Sequence, residues 1–177
     1  MADHEVTIRA AGPELAGSVY ALLLDCGRDM AARGFRNWDP LPATPESIEA
    51  ETRAQTVLVA LTGAGVVVGT ATLRREPTHS YGEDERAGRV AWAAAGAAAL
   101  YLNRLAVAPQ GQRSGLGAAL LRAAEAEARA RAAAALRCDV LADNPDLVEW
   151  YRRRGYLPRG RRAHGGKDFL VLEKPLT

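Results

Sequence analysis

A mixed α/β fold in a single domain is what the sequence predicts, on three observations. The β-branched runs Thr56 to Leu61 and Val66 to Leu73 flank Thr62-Gly63-Ala64-Gly65 and read as an antiparallel hairpin. Amphipathic stretches with helical spacing alternate with short apolar runs along the rest of the chain. The length of 177 residues, with 48% hydrophobic and 25% charged residues, suits one ordinary soluble domain spanning residues 1–177.

Composition excludes several classes of function. The formal net charge is +2, from 23 Lys and Arg against 21 Asp and Glu, so no global field favours nucleic acid. Cys26 and Cys138 lie far apart without a CxxC pair, which argues against a disulfide framework or a zinc site and fits a reducing cytoplasm. The N-terminus is followed by no apolar h-region, and the thirteen residues Val90 to Leu102, the least polar run, are too short to span a bilayer. A soluble, cytoplasmic protein without a metal is expected, with a homodimer left open.

In chain order, Val6 to Arg9 alternates as a strand, and Pro13 opens a helix with Leu15, Val19, Leu22, Leu23 and Cys26 on one face, ending near Gly34. Phe35 to Pro42 reads as a loop. Thr44 as N-cap, Pro45 at the first helical position and Glu46 in the first turn start a short second helix. Ser47 stands where a full capping box calls for Glu or Gln. After the hairpin, Glu76 to Ala87 is polar and reads as a loop, while Val90 to Ala99 fits helix or strand-and-turn equally.

From Leu100 the pattern sharpens: a strand carries Leu102, Leu105 and Val107 and ends at Pro109. A helix with Leu116, Leu120, Leu121, Ala124 and Ala128 on its apolar face and Arg122, Glu125 and Arg129 opposite follows a glycine-punctuated turn. Leu136 to Leu141 is a strand, Asn144-Pro145 caps a further helix stopped by Gly155, and Tyr156 to Pro158 and Phe169 to Leu172 are the last strands.

The chemistry concentrates in strand, then Gln112-Arg113-Ser114-Gly115-Leu116-Gly117, then helix. A tight turn feeding a helix leaves backbone N–H groups without intrahelical partners, aimed with the positive end of the helix dipole at whatever lies before them. Glycines at 115 and 117 permit close approach of a phosphate, and Arg113 adds a positive charge. On the glycines alone, a turn that only packs the helix on the sheet explains the pattern equally well. Without Gly-Lys-Ser/Thr there is no P-loop, and G-x-x-x-G-x-G after residue 110 is a poor dinucleotide fingerprint.

Gln112 to Gly117 resembles the Q/R-x-x-G-x-G/A motif of the GNAT superfamily of N-acetyltransferases, with Leu105-Ala106-Val107-Ala108-Pro109 similar to its preceding strand. Asn144, Tyr151 and Gly155-Tyr156 are similar to the superfamily's later N-x6-Y-x-x-x-G-F/Y element. The resemblance implies a twisted, mostly antiparallel sheet of about seven strands, splayed centrally between the strands ending at Val107 and Leu141, with about four flanking helices. Acetyl-CoA is then the cofactor and occupies the splay. Its pantetheine pairs with the backbone of Leu105 and Val107, its pyrophosphate sits on the N–H groups of Arg113, Gly115, Gly117 and Ala118, and Ala106, Gln112, Ser114, Leu116, Asn144 and Tyr151 complete the cofactor-binding set.

In the same resemblance Asn144 contacts the pantetheine arm, although a plain N-cap explains it too. Tyr151, seven residues on and sharing a helix face with Asn144, protonates the departing thiolate; its alternative is a core tyrosine. Where many relatives carry a Glu on the central strand, this chain reads Leu102-Asn103-Arg104, so Asn103 is expected to position water or the acceptor. The base then falls to water or to His79, Asp39 or Asp139, each more ordinarily structural. Arg36 and Trp38 in the first interhelical loop are candidates for acceptor contact, with core capping as the alternative for Trp38. Arg152, Arg153, Arg154, Arg159, Arg161 and Arg162 read as a solvated basic face.

Acetyl transfer to a primary amine of a small molecule, by direct attack, is the leading expectation. A non-catalytic acyl-CoA-binding or sensing module, and a protein N-terminal or lysine acetyltransferase, remain open as alternatives.

Overall fold

The computed structural model of the protein describes residues 6–77, 81–93 and 95–176. Its strands are β1 Thr7–Ala10, β2 Val57–Leu61, β3 Val67–Arg74, β4 Ala99–Val107, β5 Ala135–Leu141, β6 Leu157–His164 and β7 Lys167–Pro175. Its α-helices are α1 Ala16–Ala32, α2 Pro45–Arg53, α3 Tyr81–Arg86, α4 Leu116–Ala130 and α5 Pro145–Arg152. The strands are hydrogen-bonded in the order β1-β2-β3-β4-β5-β7-β6, a mostly antiparallel seven-stranded sheet in which β4 and β5 run parallel.

The chain divides into two compact units, residues 1–73 with 103–126, and residues 74–102 with 127–177. Strand β4 and helix α4 each contribute residues to both.

The first unit holds α1, α2, β1, β2, most of β3 and the later half of β4. Val19, Leu22, Leu23 and Cys26, one face of α1, pack with Ile48 of α2 and with Val57, Val59 and Ala106 of the strands. Each Leu or Ile so buried contributes about 1.5–3 kcal/mol relative to exposure. The start of α2 differs from expectation: Ser47 completes the capping box, its Oγ accepting from Thr44 N–H at 2.9 Å while Ser47 N–H donates to Thr44 Oγ1 at 3.2 Å. A serine hydroxyl reaches because the donor, Thr44 N–H, is only one turn back.

The second unit holds α3, α5, β5, β6, β7 and the start of β4. The parallel β4–β5 ladder runs over Ala99–Tyr101 and Ala135–Arg137, and β5 continues to Leu141 against β7. Here the sequence reading needs four corrections. Tyr81 to Arg86 forms α3 inside the segment expected to be loop, because Tyr81 and Asp84 are buried by tertiary contacts that local propensity does not see. That helix makes five rather than about four. Val90 to Ala98 forms no regular element among its described residues; Val90 makes a single bridge to Gly160. The last two strands are much longer than expected, eight and nine residues, and join through Gly165-Gly166 as one hairpin.

A further correction concerns α4, where Glu125 is 6% exposed instead of facing solvent. Cys26 and Cys138 are buried free thiols.

Candidate active site

The turn that precedes α4 is built by the first unit from local sequence. Pro109 to Gly111 makes one 3-10 turn, Gln112 is extended, and Arg113 and Gly115 take left-handed φ of 64° and 89°. Gly115 belongs there because L side chains rarely adopt that backbone, and the space where its Cβ would project is open. Alternating handedness of this kind turns successive N–H groups toward one concavity. Ser114 Oγ donates to Gly111 O at 2.6 Å and accepts from Leu116 N–H at 3.4 Å, which holds the turn. Ala119 N–H is the first to bond back into the helix, to Gly115 O at 3.1 Å, so Gly117 and Ala118 N–H precede the first intrahelical donor. The result is a set of unspent backbone donors at the positive end of a fifteen-residue helix.

Of the strand residues ahead of the turn, Ala106 is buried in the core and can offer a ligand only its backbone, while Leu105 and Val107 are half-buried. Val107 O already receives the Cys26 thiol and the Gln112 amide, both at the long distance of 3.4 Å. Two residues earlier the strand contains a feature the sequence did not signal. Arg104 has a φ of 49°, an uncommon conformation for a non-glycine residue inside a strand. Its side chain, 7% exposed, pairs with Glu51 of α2 and lies 3.4 Å from Thr72 Oγ1. A left-handed residue in a strand redirects the peptide groups that follow it. Asn103 beside it is half-buried.

Trp38 packs on the edge of the first unit's core and lines a cavity of about 490 Å³ with Tyr20, Leu24, Gly27 and Arg28. Arg36 is exposed and paired with Asp39 at 2.9 Å.

In the second unit, Asn144 Oδ1 caps α5 by accepting from Leu147 N–H at 3.1 Å, leaving its amide NH₂ without a hydrogen bond to a described residue. The cap therefore occupies only the oxygen of this side chain. Gly155, with φ of 87°, ends the helix in a left-handed turn, and Tyr156 N–H donates to Tyr151 O at 3.2 Å. That closure sets the Tyr156 ring edge-on to Tyr151 at 5.2 Å, with Trp150 edge-on at 4.9 Å. Tyr151 is 5% exposed, and its hydroxyl makes no hydrogen bond to a described residue. Burial, followed by the nearby Cys138 and Asp139, pushes its phenol well above the ordinary value.

The arginines of the expected basic face separate. Arg152 and Arg153 are exposed and paired with Glu149, and Arg154 stacks on Trp150 at 3.9 Å. Arg159 and Arg162 instead turn inward, to Glu173 at 2.9 Å and toward Asp84 and Asp139 at 3.6 and 3.5 Å. The long β6, invisible when only Tyr156 to Pro158 is read as strand, carries a bulge between Pro158 and Gly160, and the extra residue Arg159 escapes the two-residue alternation that turns Arg162 inward. His79 lies outside the described residues. No described helix is long and apolar enough to cross a membrane.

The acetyltransferase (GNAT) family model matches residues 19–156, most of the chain and both elements just described. The chain belongs to the GNAT acetyltransferase family. Over 78 residues it is 37% identical to the uncharacterized N-acetyltransferase YesJ of Bacillus subtilis (strain 168), a match that spans 44% of this chain and 42% of that protein. Among solved structures, a GNAT-family acetyltransferase from Listeria monocytogenes superposes with a TM-score of 0.77 at 22% identity, covering 97% of this chain and 95% of that one. The structure of yncA from Salmonella typhimurium with its cofactor acetyl-CoA superposes with a TM-score of 0.69 at 17% identity, over 98% and 95% of the two chains. Identities this low carry the GNAT fold and nothing finer.

Proposed function

We propose that this GNAT protein transfers the acetyl group of acetyl-CoA to a primary amine of a small molecule by direct attack. The observation that carries the reading is the turn from Arg113 to Ala118, whose N–H groups other than that of Leu116 make no hydrogen bond to a described residue and suit a pyrophosphate, in a chain of a family whose solved relative yncA holds acetyl-CoA. The amine, bound as the ammonium, gives one proton to water before its neutral nitrogen adds to the thioester carbonyl; the C–S bond breaks as the carbonyl reforms, nitrogen loses a second proton to water, and sulfur gains one.

Tyr151 is assigned the sulfur's proton. A buried phenol whose pKa is raised stays protonated at neutral pH, and protonation of a thiolate, whose conjugate thiol has a pKa of about 8.5, converts a strong nucleophile into a poor one. Asn103 is assigned to position the acceptor or a water, and Asn144 NH₂ to the pantetheine arm. Arg36 and Trp38 are assigned to the acceptor's contacts.

The test is turnover of an amine library with acetyl-CoA, followed by Tyr151→Phe on an amine that reacts. Loss of the hydroxyl lowers kcat by about 100- to 10,000-fold with coenzyme A affinity nearly kept. Because burial raises the phenol pKa, the wild-type plateau extends beyond about pH 10, the ordinary phenol value, before its basic limb falls. Wild-type kcat in Tyr151→Phe returns Tyr151 to core packing, and coenzyme A binding without turnover of any amine favours a sensing module.

A further inference from the structure

The second unit contains a buried aromatic and ionic cluster drawn from five separate stretches of sequence. Tyr81 stacks on Tyr101 with centroids 5.6 Å apart and planes at 16°, and meets Trp92 edge-on at 5.7 Å. Arg137 lies 4.0 Å over the Trp92 ring and Arg162 4.8 Å over Tyr81. Among these groups stand three carboxylates whose situations differ.

Glu173, its side chain 1% exposed, is fully engaged: Oε1 accepts from Arg137 Nε at 3.1 Å, and Oε2 accepts from Ala93 N–H at 2.8 Å and Arg159 Nε at 2.9 Å. Asp84, 11% exposed, is held by Arg89 on Oδ1 at 2.8 Å and faces Arg162 with Oδ2 at 3.6 Å. Asp139 is anchored on one side only. Its Oδ2 accepts from the Tyr81 hydroxyl at 2.9 Å and lies 3.5 Å from Arg162, while Oδ1 makes no hydrogen bond to a described residue. The Asp139 side chain is a quarter exposed.

Charge points the same way. The buried guanidinium of Arg137 is matched by Glu173, but the buried guanidinium of Arg162 is shared between Asp84 and Asp139, and neither of its contacts is a hydrogen bond. Among the described residues the further cation at Asp84 is Arg89, which is 55% exposed and correspondingly screened. The carboxylate left short of a close counter-ion is therefore the one with an open oxygen. Its place is also telling: on β5 it shares a face with Arg137, two residues past the last recorded β4–β5 pair.

We propose that Asp139 is the specificity-determining contact for the acceptor, its Oδ1 receiving the N–H groups of a protonated primary amine while Tyr81 and Arg162 fix the carboxylate through Oδ2. The aromatic wall of Tyr81 and Tyr101 then meets the adjoining carbon chain. The assignment rests on the acetyltransferase reading for its meaning as an acceptor site, but amine recognition is measurable without turnover.

The experiment is isothermal titration of primary amines, alkyl and arylalkyl, into the protein saturated with coenzyme A. Asp139→Asn should weaken amine binding about 10- to 100-fold, the usual worth of a hydrogen bond to a charged group, with coenzyme A affinity unchanged. Glu85→Gln, which alters an exposed carboxylate of α3, should keep the amine affinity. A comparison needing no variant is the alcohol isostere of a binding amine, which wild-type protein should bind at least about tenfold more weakly. Equal binding of amine and alcohol, unchanged amine affinity in Asp139→Asn, or no amine binding at all overturns the proposal. If amines bind through Asp139 and coenzyme A does not bind, the acetyltransferase reading falls and the amine site stands.

Discussion

The turn from Gln112 to Ala118 and the cluster around Glu173 are both polar, and they are made in opposite ways. The turn is built from backbone within one short stretch, leaves its donors unspent, and depends on side chains mainly by their absence at Gly115 and Gly117. The cluster is built from side chains on α3, β4, β5, β6, β7 and the segment around Trp92; both oxygens of Glu173 are engaged, while Trp92 Nε1 and Arg162 Nε and Nη1 make no hydrogen bond to a described residue. An unspent polar group costs little at a solvent-facing turn and much in an interior, where unpaired charge is strongly disfavoured. The difference teaches where to look for ligand contacts: at the open donors of the turn, and at the exceptional open acceptor of the cluster.

The largest effect that would sharpen this contrast is expected at Glu173. Replacement by Gln leaves Arg137, 6% exposed, without its carboxylate, and breaking a buried pair from one side costs about 3–5 kcal/mol in stability by denaturant titration. A loss below about 1 kcal/mol, the scale of a surface pair, would mean that the cluster is solvated in solution and the contrast is false.

Next comes Gly115→Val. A β-branched residue at φ of 89° is strained and places methyl groups in the open space before α4, so coenzyme A affinity should fall by at least about tenfold in a protein that remains folded. Unchanged affinity measured by titration calorimetry would move the pyrophosphate elsewhere.

A smaller effect is expected at Cys26, where burial, ahead of Asp29 and Asp25, pushes the thiol up to about 11 from its ordinary value of 9.0. The folded state then holds the proton more tightly than the unfolded one. Stability from this group is fully present below about pH 9 and is lost as pH rises from 9 to 11. Cys26→Ala should show a shallower decline in unfolding free energy over that window, Cys138 supplying the remaining slope. An identical slope would show that the thiol is solvated.

The smallest effect is expected at Ser114→Ala, which removes a side chain that steadies the turn while leaving the backbone donors in place. Coenzyme A affinity should change by no more than about threefold. A loss as large as that of Gly115→Val would show that a hydroxyl, and not the backbone, binds the phosphate.

The strand, turn and helix from Leu100 to Ala130 were legible because their determinants are local. Helical spacing, a terminating Pro109 and glycines at fixed offsets all act within a few residues of where they stand. The same holds for Asn144, Pro145 and Gly155, whose cap, first-turn proline and left-handed stop are each fixed by one residue's own chemistry. The GNAT resemblance was readable for that reason.

What only the tertiary structure decided is what long-range contact stabilises. Helix α3 stands where polarity predicted a loop, because Tyr81 finds Trp92, Tyr101 and Asp139. Arg104 accepts a left-handed backbone in a strand while Glu51, 53 residues away, holds its guanidinium. Arg162 becomes an interior residue, and the half-buried Arg159 reaches Glu173, only because β6 runs on to His164 against β7. Side-chain pairing across such separations leaves no periodicity in a single sequence. The backbone half of the candidate site could thus be read from residue order, whereas the open oxygen of Asp139 emerged only once the other carboxylates were seen to be engaged.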